Sequence, residues 1–192
     1  MDTIPLYKEI QACDVCRSFL PFAPRPVIQF DASATLLIIG QAPGIKVQES
    51  GIPWNDASGQ RLREWLQMDS NTFYDPKKVA IMPMGFCYPG KGKSGDLPPR
   101  KECAPQWHDR ILASLPNIQN TLLIGQYSQN YYLKHTEFLS KYPRLTERVK
   151  HTQQAPDSLI CLPHPSPRNQ IWLKQNPWFQ KETLPYLRQR IR

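Results

Sequence analysis

Four short apolar runs, at 35–39, 79–82, 121–124 and 158–162, punctuate an otherwise mixed sequence. None alternates polar with apolar positions, which is the pattern of strands covered on both faces. Between them the apolar spacing becomes helical. Residues 58–67 set Leu62, Trp65 and Leu66 on one face, and 107–115 do the same with Ile111, Leu112 and Leu115. Further helices are expected at 126–133 and at 176–191, the second with Trp178, Leu184, Leu187 and Ile191. Strands alternating with helices predict an α/β fold, a three-layer sandwich whose central four-stranded parallel sheet is flanked by helices. The first 30 residues, with Pro21, Pro24 and Pro26, read as an irregular arm laid against a single domain spanning 1–192.

Ligands of such sheets bind beyond the carboxyl ends of the strands. The four exits are Gly40-Gln41-Ala42-Pro43-Gly44, Pro83-Met84-Gly85-Phe86-Cys87, Gly125-Gln126 and Pro163-His164-Pro165-Ser166. Composition sharpens their importance. The chain has 20 prolines in 192 residues, about twice the usual fraction, and many stand at these exits. Proline there makes stiff loops, on which sites are commonly built. With 40% hydrophobic and 21% charged residues, this is the composition of a soluble globular protein. No run reaches the roughly 20 apolar residues of a membrane span. Asp2, Lys8, Glu9, Asp14 and Arg17 interrupt the first 20 residues as no signal peptide would, so a cytoplasmic location is expected. The net charge of +8 points to a polyanionic partner, whether nucleic acid, an acidic membrane face or an acidic protein.

Three stretches carry candidate chemistry. "GQAPG", 40–44, allows backbone to approach a ligand closely, although the same glycines also serve an ordinary strand-to-loop turn. It is neither a Walker loop nor a dinucleotide fingerprint. In "GIPWNDASGQRL", 51–62, Asp56 or Ser58 can cap the helix that follows. Trp54 lies outside the helical stripe in a Pro-stiffened loop; an indole held there can stack on a planar base, though core packing is the commoner fate of Trp. His164, in "LPHPSPRNQIW", stands among Ser166 and Arg168, which suit phosphates, Asn169, a hydrogen-bonding group, and Ile171 with Trp172, apolar groups able to wedge into a base stack.

Cys161 lies inside an apolar run and reads as core. Cys13 and Cys16 form a CxxC, and Cys87 and Cys103 a distant pair sixteen apart. Structural disulfides are unusual in the cytosol, so four thiols in this layout suggest zinc or a [4Fe–4S] cluster. The loop between the second pair carries Lys91, Lys93, Arg100 and Lys101, a solvated basic loop or a phosphate-contacting one.

"GQAPG", "GIPWNDASG" and "HPSPRN" together resemble the uracil-DNA glycosylase superfamily. The first two are most similar to the iron–sulfur family 4 enzymes, which read roughly GEAPG and GxPFxGxAG, and "HPSPRN" resembles the single-strand-selective uracil-DNA glycosylases. Cys13, Cys16, Cys87 and Cys103 match the family 4 ligand layout, which implies a [4Fe–4S] cluster, with Zn²⁺ as the alternative. The resemblance implies a base flipped from DNA into a pocket at the strand ends, as glycosylases do. It implies that Gln41 shapes the pocket and positions water or substrate, that Trp54 stacks on the base, and that His164 donates a hydrogen bond to it as negative charge builds. Gly40, Ala42, Pro43, Asn55, Asp56 and Pro83 would complete the base pocket. Ser166, Arg168, Asn169, Ile171, Trp172, Lys91 and Lys93 would contact DNA, single- or double-stranded.

Three departures stand out. Gln41 replaces the family 4 Glu, and Ala42 occupies the position where other families have Asp or Asn, so the first motif holds no carboxylate. Asp56, where family 4 has Gly, is a candidate substitute. Pro83 replaces the Asn that pairs with the base edge. The motifs hold no lysine nucleophile, so the expected activity is that of a monomeric, monofunctional DNA glycosylase of base excision repair, acting on uracil or another altered base. The alternatives are a non-catalytic DNA-binding protein on the same fold and an enzyme acting on a free nucleoside or nucleotide.

Overall fold

The computed structural model describes residues 3–192; Met1 and Asp2, the start of the expected arm and domain, lie outside the described residues. The four apolar runs form strands β1 (Leu36–Ile39), β2 (Val79–Ile81), β5 (Asn120–Ile124) and β6 (Leu159–Leu162). They make one sheet in the order β2-β1-β5-β6, every pairing parallel. Leu37, Ile38, Ile39, Leu122, Leu123 and Ile160 are wholly buried, as their unbroken apolar runs require. A separate hairpin pairs β3 (Lys91–Gly92) with β4 (Gly95–Asp96).

The helices are α1 (Ile4–Gln11), α2 (Ile45–Ser50), α3 (Ala57–Leu66), α4 (Ser70–Phe73), α5 (Asp109–Ala113), α6 (Gln126–Tyr132), α7 (Glu137–Lys141), α8 (Leu145–Lys150), α9 (Gln170–Gln175) and α10 (Leu184–Arg190). The helices expected at 58–67 and 126–133 agree with α3 and α6 to within a residue at each end. The other two begin differently from their apolar pattern. The first opens as a wide π-type turn, Ala104–His108, that carries Trp107 and His108, and the second as Phe179–Thr183, just beyond Pro177. The arm, expected to be irregular, begins with α1, whose Ile10 is fully buried. Its far end runs along β2. Gln29 and Ile81 exchange backbone hydrogen bonds of 3.0 and 2.6 Å, and the Val27 N–H donates to the Phe86 carbonyl at 2.8 Å. The exposed side of β2 is thereby covered.

A buried polar network stiffens the opposite flank. Gln129 Nε2 donates to the carbonyls of Leu123 and Leu162, while its Oε1 accepts from Arg148 Nε at 2.8 Å. Arg148 also donates to the Pro143 carbonyl at 2.8 Å, so this buried cation is satisfied by oxygens that reach it from α6 and the turn before α8. The ends of β5 and β6 are held at fixed height by these bonds.

Candidate active site

The strand order changes direction at β1: the chain leaves β1 first for β2 and later crosses to β5 on the other side. Crossovers that diverge from neighbouring strand ends leave a crevice between them. A pocket of about 590 Å³ fills that crevice, walled by Gln41, Pro83, Gly125 and His164 from the four strand exits. Gly40, Ala42 and Pro43 line it as well. The Gln41 amide lies against Gly125, where a Cβ would come within 2.8 Å of Nε2. Gly125 also has φ +83°, so glycine there serves both the turn and the close approach.

Trp54 lies against the first exit. Its ring covers Gly40, whose Cβ, if present, would be 2.9 Å from Cζ2. The backbone at Trp54 has φ +55°, a left-handed conformation uncommon for a bulky residue. Its neighbours hold it there. The Trp54 carbonyl accepts from Tyr74 Oη at 3.4 Å and Arg63 Nη1 at 3.5 Å. A Cβ at Gly59 would fall 1.7 Å from that same carbonyl oxygen, so the loop is packed down on the first turn of α3. Trp54 packs against the core and also lines the pocket.

His164 faces Trp54, with ring centroids 5.7 Å apart and tilted by 36°. Its mounting is rigid. Prolines flank it, Asn169 Nδ2 donates to its carbonyl at 2.7 Å, and Arg61 Nη1 donates to the Ser166 carbonyl at 3.0 Å. Among the described residues no group hydrogen-bonds the His164 ring. Burial holds its imidazole below the usual histidine range, against the opposing pull of the Asp56 and Asp96 charges. A neutral, fixed imidazole can therefore donate an N–H to a group that gathers negative charge.

Pro83 presents no side-chain donor, and its carbonyl is already engaged. His108, fully buried, places Nε2 3.1 Å from the Pro83 oxygen and Nδ1 2.6 Å from the Tyr132 hydroxyl. A carbonyl only accepts, so Nε2 carries the proton and Nδ1 accepts from Tyr132. Burial pushes the His108 pKa down to about 4. The wall behind Pro83 is a neutral, fully satisfied relay.

Asp56 and Asp96 are the carboxylates that line the pocket among the described residues. Asp56 caps α3, its Oδ1 accepting from the Gly59 N–H at 2.8 Å. Asp96, which the sequence reading did not single out, arrives on β4. Its Oδ1 accepts from the Tyr88 hydroxyl at 3.4 Å, and Lys91 stands opposite it in the hairpin register. The hairpin closes onto the last loop, where Arg168 Nη1 donates to the Ser94 carbonyl at 3.2 Å.

The expected DNA-facing residues separate into groups. Ser166, Arg168 and Asn169 line the pocket mouth. Ile171 is 69% exposed and projects from α9. Trp172 does not project with it: Nε1 donates to Thr146 Oγ1 at 2.9 Å, and the ring packs edge-on against Trp178 and Phe179. These bonds make Trp172 part of the pocket wall, which corrects the expectation of an apolar wedge at this position. Lys91 and Lys93 are exposed on the hairpin, outside the pocket wall. Asn55, expected to touch the base, is exposed outside the wall, because its backbone turns back to bond the Ile52 carbonyl.

A second, much smaller cavity of about 20 Å³ is lined by Cys13, Cys16, Cys87 and Cys103 together with Phe86, Arg100 and Trp107. Among the described residues, no three or more His, Cys, Asp or Glu side chains are disposed as a ready metal-ion site. The surroundings nevertheless suit anionic sulfur. The Phe86 N–H donates to Cys103 Sγ at 3.5 Å, and the positive Arg100 side chain partly offsets the upward push of burial on the Cys16 thiol. Among the described residues Trp107 Nε1 is buried without an acceptor, and an orphaned N–H of this kind normally finds one. Burial pushes the Cys87 thiol to about 11 and the Cys103 thiol to about 12. A four-sulfur donor set in a closed, mostly apolar cavity fits a thiolate-bound metal group.

The model of the uracil DNA glycosylase superfamily matches residues 27–188. The matched span holds all four strands of the sheet, the pocket between their ends and the His164 loop; it excludes Cys13 and Cys16. Members of that superfamily are generally DNA glycosylases, and this chain belongs to it.

Proposed function

We propose that this chain is a monofunctional DNA glycosylase that hydrolyses the N-glycosidic bond of uracil or another altered base flipped out of DNA, acting as a cytoplasmic monomer in base excision repair. The observation that carries this reading is the His164 ring, rigidly mounted, with no hydrogen bond to it among the described residues, and facing Trp54 across a pocket at the sheet's switch point. A flipped base stacks on Trp54 while Gln41 orients it or a water. As the bond breaks, both electrons go to the base and the sugar takes on oxocarbenium character. The His164 N–H meets the growing negative charge in a site already organised for it. Among the described residues no lysine lines the pocket, which agrees with water as the attacking group and an uncut abasic strand as product. Since Pro83 offers no side-chain donor, choice among bases falls to polar groups such as Gln41, Gln126 and Tyr127. The surplus of positive charge and the exposed Lys91, Lys93 and Arg168 suit the phosphate backbone.

Cys13, Cys16, Cys87 and Cys103 would hold a [4Fe–4S] cluster, with zinc as the alternative, and Trp107 Nε1 would gain a sulfur acceptor. Bound there, the group would cross-link the arm to the hairpin-bearing loop.

Oligonucleotides bearing uracil, hypoxanthine, xanthine or modified cytosines, treated with the protein and then with alkali, test the activity. Strand cleavage at one of these bases is expected. Cleavage at none, with salt-dependent DNA binding intact, would support the second reading, a non-catalytic binder, which the lack of a carboxylate at Gln41 and Ala42 favours.

A further inference from the structure

The first motif supplies no acid, yet hydrolysis needs a group that handles water and faces a cationic sugar. Two carboxylates converge on one point of the pocket floor. A Cβ on Gly44 would lie 3.6 Å from Asp96 Oδ2 and 3.9 Å from Asp56 Oδ2. In each carboxylate the other oxygen is occupied, by the Tyr88 hydroxyl for Asp96 and by the Gly59 N–H for Asp56. Both therefore point one oxygen over the "GQAPG" turn. The two differ in what anchors them. Asp56 belongs to the first turn of α3 and fixes it. Asp96 is carried by β4, in a short hairpin whose turn touches the rest of the pocket mouth through Ser94 and Arg168. It is exposed, and so reached by solvent water and by a sugar-phosphate chain entering the mouth.

Resting on the glycosylase reading, we propose that Asp96 is a catalytic residue, the carboxylate that replaces the missing acid of the first motif. The C1′–N bond breaks with its electron pair passing to the base, which His164 stabilises by hydrogen bonding. Water then forms the C1′–O bond and gives one proton to Asp96 Oδ2, which passes it to solvent or to the departing base anion. The products are the free base and an abasic site. Before water adds, the same carboxylate stabilises the positive sugar. Asp56 holds the helix and the pocket floor.

The test compares Asp96→Asn and Asp56→Asn by two readouts. Single-turnover base release on the substrate found in the base panel is expected to fall about 100- to 1000-fold for D96N with an unchanged thermal midpoint. D56N, which keeps a good helix cap, is expected to lose less than about 10-fold with little change in stability. The second readout needs no turnover: affinity for DNA holding a cationic azasugar abasic analogue against DNA holding the neutral tetrahydrofuran analogue. Wild type is expected to prefer the cation by about 10-fold or more, and D96N to lose that preference. If D96N releases base as fast as wild type, or keeps the cation preference, Asp96 is not the carboxylate, whatever the fate of the glycosylase reading. If wild type releases no base but prefers the cation through Asp96, the activity falls and the placement of Asp96 stands.

Discussion

The two cavities of this molecule are built on opposite principles. The large pocket is a product of sheet topology: four strand ends, set by unbroken apolar runs, leave an open crevice in which the His164 ring has no hydrogen-bond partner among the described residues. The small cavity is assembled from segments distant in sequence, chiefly the arm and the 87–103 loop, and it is lined by four thiols, the Arg100 side chain and the buried Trp107 N–H. An open pocket with a free imidazole suits a visitor. A closed one with buried thiols suits a resident, since binding a metal displaces the protons that burial otherwise holds on sulfur. One segment belongs to both cavities. Residues 87–103 begin and end on cysteines and carry Asp96 and the hairpin between them.

The comparison is most strongly broken at the small cavity. Cys87→Ser with Cys103→Ser is expected to abolish bound iron or zinc, measured by elemental analysis and visible absorbance. Loss of a structural metal is expected to cost about 4 kcal/mol or more, a fall of about 10 °C in Tm for a chain this size. Wild-type protein containing neither metal overturns the reading of the small cavity. The converse lesion, His164→Ala, is expected to slow single-turnover base release about 100- to 1000-fold while metal content and Tm stay unchanged. A matching loss of metal would mean that the two cavities are not separable.

His108 lies where the two regions meet, its ring stacked on Phe86 from the thiol cavity and bonded to Pro83 of the pocket. Its folded pKa of about 4 lies below the unfolded value of 6.5. Between those values the unfolded chain binds more protons, so stability falls as pH drops from 6.5 towards 4 and is unaffected above 6.5. The full effect is about 3 kcal/mol. Urea midpoints across that range should show the loss, and His108→Gln should flatten it. The smallest expected effect is at the rim. Arg168→Ala should weaken DNA binding less than about 10-fold and flatten the dependence of log K on log salt by about one.

Much of the pocket was legible in the sequence for one reason: a strand buried on both faces announces itself as an apolar run, and the residues just after it must lie at the sheet's edge. Gln41, Pro83, Gly125 and His164 all follow from that rule. The 87–103 loop gives no such signal. It is polar, and a two-residue turn between strands of two residues leaves no periodicity to detect; the Gly92 and Gly95 that flank Lys93-Ser94 were the available hint. Asp96 was missed with it. His108 was hidden differently, since a helical apolar pattern does not say which of its polar residues will be fully buried and bonded. Trp172 was misread because an aromatic next to an exposed Ile171 looks like a wedge until Trp178 and Phe179, packed edge-on against its ring, come into view.

The packing of Gly59 against the Trp54 carbonyl bears on how this pocket can change over generations. Gln41 and Tyr127 can be exchanged one at a time, since each contributes a side chain to a wall that stands without it. Position 59 has no such freedom: any side chain there evicts the Trp54 backbone, and the stacking ring moves with it. A lineage, or a laboratory library, that shifts from one base to another is therefore expected to vary the first set and keep glycine at 59 throughout.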